Sequence, residues 1–98
     1  RAIKKEDPNG ELIKKYDISS LRTQFLAGER CDVATLDWYE EKVGITPIDH
    51  WWQTESGWPM LSLMPGIETA EIKRASAGKP VPGYDIKIFD EEGYELAP

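Results

Sequence analysis

The sequence predicts an α/β fold: a βαβ unit, then an irregular segment, then a β-hairpin. Leu21, Thr23 and Phe25 alternate with Arg22 and Gln24 before Leu26-Ala27 run into Gly28, the period-two pattern of a strand. Val33, Leu36, Tyr39 or Glu40, and Val43 then recur at helical spacing between Asp32 and Gly44. Ile45 to Trp52 follows as a short apolar run broken by Asp49 and His50, which reads as the second strand. Two strands joined by a helix of that length should be parallel neighbours with a right-handed crossover. Both polar loops, Gly28 to Arg30 and Gln53 to Gly57, then leave the same edge of the sheet, where one ligand can touch both.

The remaining elements follow in chain order. Arg1 to Lys5 is basic and is expected to end a helix begun upstream, because Asp7-Pro8-Asn9-Gly10 is a strong turn signal. Glu11 to Tyr16 is expected to add one further helical turn. The Lys4/Lys5 and Lys14/Lys15 pairs read as a solvated face, with an anion site as the alternative. Asp32 is a natural N-cap for a helix over residues 33–43, and Gly44 a natural stop. Trp38 and Tyr39 are adjacent and cannot both share its apolar face. Pro47 is tolerated near the start of the second strand. Residues 59–83 hold Pro59, Pro65, Gly66, Gly78, Pro80, Pro82 and Gly83, so a loop with a short strand is expected. Tyr84 to Asp90 alternates, Asp90-Glu91-Glu92-Gly93 turns, and Tyr94 to Leu96 returns. No internal repeat is present.

Ninety-eight residues suit one modest domain that buries roughly 60–65% of its unfolded surface. The chain begins at Arg1 and has no apolar run near 18 residues, so neither a membrane span nor a secretory signal is expected, and the sequence reads as a piece of something larger. The single cysteine, Cys31, cannot form an internal disulfide, which fits a reducing compartment: the cytoplasm, or the mitochondrial matrix in a eukaryote. The net charge of −6 is uneven, with +2 on residues 1–16, −5 on 17–60 and −3 on 61–98. An acidic body argues against nucleic acid, which needs a basic stripe. It also means that a bound ATP would need Mg2+ and a phosphate loop elsewhere to offset its charge, since no Gly-rich phosphate loop occurs here.

The densest chemistry lies in Trp51-Trp52-Gln53-Thr54-Glu55-Ser56-Gly57-Trp58-Pro59, which holds three of the four tryptophans. Read blandly, this is the end of a buried strand and an ordinary polar turn. However, a polar loop past the carboxyl end of a strand is where open α/β sheets bind ligands. Thr54 can donate to a phosphate oxygen, and Glu55 offers the hard oxygen that Mg2+ prefers.

These residues carry a resemblance. Trp51-Trp52-Gln53-Thr54-Glu55-Ser56-Gly57 resembles the Trp-Gln-Thr-Glu-Thr-Gly signature of AMP-forming acyl-CoA synthetases, members of the adenylate-forming superfamily, in its short-chain acetyl/propionyl branch. Leu26-Ala27-Gly28-Glu29-Arg30 is similar to that family's glycine-glutamate loop against adenine. Gly78-Lys79-Pro80-Val81-Pro82-Gly83-Tyr84 looks like its Gly-x-Pro-x-Pro-Gly crossing into a small β subdomain. The three motifs fit in order and spacing over nearly the whole chain, and Trp58-Pro59 favours propionyl-type members.

The resemblance implies a fragment of the large N-terminal domain of an acid–CoA ligase. Residues 1–58 would belong to its α/β nucleotide-binding subdomain, and residues 59–98 would form a linker and the start of a small β subdomain. It implies ATP, Mg2+ and coenzyme A, with a short carboxylic acid, propionate or acetate, as the other substrate. Thr54 matches the residue that bonds the α-phosphate and Glu55 the Mg2+ ligand, the two catalytic positions. Gly28, Glu29 and Arg30 match the adenine loop, with Arg30 standing where the acetyl-type loop usually has proline. Asp49 matches a residue beside the adenine ring and Gln53 one near the nucleotide. Trp52 matches the indole that closes the acyl pocket and favours two- and three-carbon acids. The family's phosphate loop, ribose-binding aspartate and C-terminal catalytic lysine fall outside these residues, so the isolated chain is expected to be inactive.

Other readings compete. Another adenylate-forming ligase would share Thr54-Glu55 but seldom the Trp51-Trp52 pair, and a non-catalytic module could use exposed tryptophans against sugars or peptides. Cys31 and His50 lack the third group of a thiol enzyme. Asp49 and His50 point to opposite faces of a strand, which weakens a metal cluster with Glu55. Trp38 and Trp58-Pro59 are faintly like a proline-binding WW module, against which the intervening helix argues. Each tryptophan ring buries roughly 150–250 Å2 when covered, on the order of 4–6 kcal/mol gross. Left open, Trp51, Trp52 and Trp58 would exceed the apolar patch a soluble monomer tolerates, so the isolated chain is expected to self-associate or to be poorly ordered around the motif.

Overall fold

The computed structural model describes residues 1–67 and 73–97. Helix α1 spans Ala2–Glu6 and ends at Asp7. Asp7 is 5% exposed and is the hub of the turn that follows. Its carboxylate accepts from the backbone N–H of Glu11 (2.7 Å), Leu12 (2.9 Å) and Ile13 (3.2 Å), the donors that a one-turn 3-10 helix at Ile13–Lys15 leaves without partners. Asp7→Ala is expected to cost about 2–3 kcal/mol, because it strands these donors in a half-buried site, whereas Asp7→Asn keeps an acceptor oxygen and should cost less than half as much. Urea unfolding of the two variants checks the ranking. The turn is also held from the other side, where the Trp38 indole N–H donates to the Pro8 carbonyl at 2.7 Å.

Helix α2 runs Val33–Val43, the span that the periodicity predicts. The Asp32 carboxylate caps it by accepting from the Thr35 N–H and hydroxyl, both at 2.9 Å. Gly44 stops it with φ 83°, a left-handed conformation that costs glycine nothing, and donates its N–H to the Glu40 carbonyl at 2.9 Å. Of the expected apolar stripe only Leu36 is buried, while Val33 is half exposed.

Four short strands form one sheet in the order β1-β2-β3-β4: Phe25–Leu26, Ile48–Trp51, Leu61–Ser62 and Lys79–Pro80. β1 and β2 are parallel, as the βαβ reading requires, with Phe25 opposite Ile48 and Leu26 opposite Asp49. Both are shorter than the runs at 21–27 and 45–52. The first inter-strand bond outside them is from the Ile48 N–H to the Gln24 carbonyl at 2.8 Å, while Leu21 turns back to bond Ile18. Residues 21–23 thus have the alternation of a strand without its pairing.

After residue 58 the described residues hold two short strands where the composition predicts one. β3 pairs antiparallel with β2, and β4 antiparallel with β3, so the sheet runs on past the tryptophan motif. Met60 to Met64 lacks polar alternation, and Pro80 reads as a breaker, but β4 is an edge strand, where a missing N–H is tolerated. Gly78 enters β4 at φ 85° against the β3 backbone. The buried apolar residues among those described are Leu36, Ile48 and Val81. The terminal hairpin forms as expected, with Phe89 bridged to Glu95 and the Asp90 carboxylate accepting from the Tyr94 N–H at 2.8 Å. No helix among the described residues is long and apolar enough to cross a membrane.

Candidate functional site

Parallel pairing carries the chain out of β1 and β2 at the same edge. After β1, Gly28 takes φ 96°, and the turn swings Glu29 and Arg30 over that edge. Along β2, side chains alternate: Asp49 and Trp51 face one side, Ile48 and His50 the other. Gly28, Glu29, Arg30, Asp49, Trp51 and Trp52 border a cavity of about 450 Å3 with Leu61, Ala75 and Ala77, and His50 reaches both this cavity and the opposite face. Two stretches far apart in sequence, both singled out above, therefore share one hollow.

Gln53, Thr54 and Glu55 are not among its lining residues. They occupy the next loop, where all three are exposed. That loop is a built turn. Ser56 is its pivot: the hydroxyl accepts from the Gln53 N–H at 3.0 Å and lies 2.8 Å and 2.9 Å from the Gln53 and Trp58 carbonyls. Gly57 closes the turn at φ 64°, and the Tyr84 hydroxyl donates to the Ser56 carbonyl at 2.9 Å. Thr54 and Glu55 stand at its tip with their side chains presented outward.

Charge around the cavity is concentrated at the Gly28–Arg30 loop. The Arg1 guanidinium meets Glu29 at 2.7 Å and Asp32 at 3.0 Å. Its hydrogen bond, with those of Thr35, holds the Asp32 carboxyl down to about 2. Between them Cys31 is pushed up, first by burial and then by Asp32 and Asp49. Both effects disfavour the thiolate that a Cys31–His50 nucleophile would need. His50 is otherwise engaged: Nδ1 lies 2.6 Å from the Leu26 carbonyl, which can only accept, so Nδ1 carries the proton and pins β2 to β1. No group of three His, Cys, Asp or Glu among the described residues could hold a metal ion.

Sequence reasoning missed two parts of this site. Arg74 pairs with Asp37 and Glu40 of α2, anchoring the segment that supplies Ala75 and Ala77 to the cavity wall. Ala75 itself sits at φ 57°, a left-handed conformation that alanine adopts only when its surroundings impose it. The small-residue run Ala75-Ser76-Ala77-Gly78 was the available signal. Arg1 carried none, being one basic residue among several.

On the opposite face of the sheet lies a second, apolar cavity of about 660 Å3, lined by Phe25, Ile48, Trp58, Leu63 and Val81 among others. Trp51, Trp52 and Trp58 are 43%, 46% and 67% exposed, so the open tryptophan surface expected from the sequence is present.

A family model described as AMP-binding enzyme matches residues 1–98. The chain belongs to the AMP-binding enzyme family. Among similar members of that family, the mitochondrial acyl-CoA synthetase short-chain family member 3 of Homo sapiens is 41% identical over 97 residues, covering 98% of this chain and 14% of that protein. The propionate–CoA ligase of Escherichia coli is 37% identical over 89 residues, covering 91% of this chain and 14% of the ligase. A crystal structure of the anthranilate CoA ligase AuaEII in complex with anthranoyl-AMP matches with a TM-score of 0.73 at 33% identity, over 89% of this chain and 16% of that one. The chain spans about one seventh of the length of the curated relatives it matches, 13–15%.

Proposed function

We propose that this member of the AMP-binding family is part of an acid–CoA ligase that activates a short-chain carboxylic acid, propionate or acetate. The carboxylate oxygen attacks the α-phosphorus of ATP and pyrophosphate leaves. The thiol sulfur of coenzyme A then attacks the acyl carbon, and AMP leaves. The reading rests on one observation above all: the Gly28–Arg30 loop, Asp49 and Trp52 border a single cavity. The names of the human and Escherichia coli relatives support the acid, and the anthranoyl-AMP complex supports an adenylate.

Within that reaction, Gly28, Glu29 and Arg30 lie against adenine, Asp49 beside its ring and Gln53 near the nucleotide. The Thr54 hydroxyl donates to the α-phosphate. Glu55 would hold Mg2+, its exposed carboxylate offering the hard oxygen that this ion prefers. When bound, Mg2+ offsets phosphate charge. Trp52 closes the acyl pocket. Catalysis then lies in positioning and charge neutralisation. Residues 1–58 act as part of the nucleotide-binding subdomain, and 59–98 link to a small β subdomain. The rest of a longer chain, or a second copy, covers the open tryptophans. The cytoplasm, or the mitochondrial matrix in a eukaryote, is the compartment.

Carboxylate-dependent ATP–pyrophosphate exchange by the complete enzyme, with acids from acetate to octanoate, tests this. Exchange should be strongest with acetate or propionate. Trp52→Gly should shift the preference toward longer acids, by roughly tenfold or more in kcat/KM ratio, as expected when a ring is removed from an apolar pocket. A folded enzyme that exchanges with no acid would return the tryptophan surface to the reading of a non-catalytic binding module.

A further inference from the structure

We propose that Arg1 is a positioning residue for the Gly28–Arg30 loop and thereby sets how tightly the adjoining cavity takes a nucleotide. The inference rests on the nucleotide reading above. One guanidinium spans three acceptors on a stretch of four residues: Nη1 donates to Glu29 Oε1 at 2.7 Å, Nη2 to the Arg30 carbonyl at 3.0 Å, and Nε to Asp32 Oδ2 at 3.0 Å. No main-chain hydrogen bond among the described residues holds Glu29, Arg30 or Cys31. The side-chain fork is therefore what fixes the loop between the end of β1 and the cap of α2. A planar guanidinium has the geometry for this, and a lysine ammonium, a point donor, does not.

Charge argues in the same direction. Glu29 and Asp49 both line the cavity, and Asp32 lies just behind the loop. A phosphate-bearing ligand would meet these carboxylates, and Arg1 neutralises two of them at contact distance. Because the Arg1 and Glu29 side chains are 50% and 70% exposed, their pair contributes little to folding. Its effect belongs to loop geometry, which separates it from a merely structural role.

The test uses the complete ligase. Arg1→Ala should raise the KM for ATP and the Kd for AMP, the latter read by tryptophan fluorescence, by roughly tenfold, the order expected from a misplaced contact group. The KM for the carboxylic acid and the melting temperature should not move. Arg1→Lys should recover only part of the affinity. Asp32→Asn keeps an oxygen to cap Thr35 but removes the charged partner of Arg1, and should shift ATP dependence in the same direction by a smaller factor. Unchanged ATP dependence in Arg1→Ala, in an enzyme whose wild type exchanges normally, overturns this inference alone. So does a matching rise in the acid's KM with a lowered melting temperature. A wild type that neither exchanges nor binds AMP overturns the nucleotide reading and this one with it.

Discussion

Gly78→Ala is expected to destabilise the fold by about 3–5 kcal/mol, the largest single effect outside the reaction itself. A Cβ at Gly78 would lie 2.5 Å from the carbonyl carbon and oxygen of Ser62 and 2.7 Å from the Leu63 nitrogen. These are backbone atoms of β3 and the residue after it, so no rotamer change relieves the clash. The residue also sits at φ 85°, which adds about 1–3 kcal/mol of strain for a side chain, and forced expansion of a packed contact adds a similar amount. The β3–β4 ladder must open or the turn must unwind, moving Ala75 and Ala77 at the cavity wall with it. Denaturant unfolding and amide exchange at Ser62 and Lys79 would read the effect. A loss below about 1 kcal/mol would mean that the two strands do not approach this closely in solution.

Glu55→Gln should lower kcat for adenylate formation by roughly 100- to 1000-fold, the range seen when one group that stabilises transition-state charge is removed. The substitution is nearly isosteric, and Glu55 is exposed at the tip of a turn held by Ser56 and Tyr84, so the fold has no reason to change. The KM for the carboxylic acid should stay close to that of wild type, because the proposed reading assigns the acyl pocket to Trp52 and not to Glu55. The Mg2+ concentration required for half-maximal rate should rise. A fall of less than tenfold, or a rate restored without extra Mg2+, would remove Glu55 from the reaction.

The local signals read well where one short-range rule decides. Asp32 and Gly44 bracket α2 because a carboxylate caps a helix and glycine accepts a left-handed φ at its end, and both effects are set within a few residues. The parallel pairing of β1 with β2 follows from the length of the helix between them. β3 and β4 were less legible, since their pairing depends on partners rather than on their own pattern: Met60 to Met64 is apolar apart from Ser62, and Lys79-Pro80 becomes a strand only because it lies at an edge. For the site, both motifs were visible, and the parallel pairing puts the Gly28–Arg30 loop and the Asp49–Trp52 stretch on one cavity, but the Gln53–Gly57 loop expected to share it stands outside. The part of Ala75 and Ala77 was not visible, because they carry no chemistry of their own. Nor was the grip of Arg1, which lies 28 residues before Glu29 and depends on the tertiary structure.

Strand order equals chain order in this sheet, and that has a consequence for how it assembles. Each strand pairs with the one made just before it, so no strand has to insert between two that are already paired. During synthesis from the amino terminus, α2 can fold as soon as Gly44 has emerged, β2 then finds β1 already present, and β3 and β4 add by successive reversals. The parallel step spans the longest connection, from Leu26 to Ile48, and the helix inside that loop shortens the distance to be closed. The hollow beside the Gly28–Arg30 loop is accordingly finished last, when Ala75 and Ala77 swing in with β4.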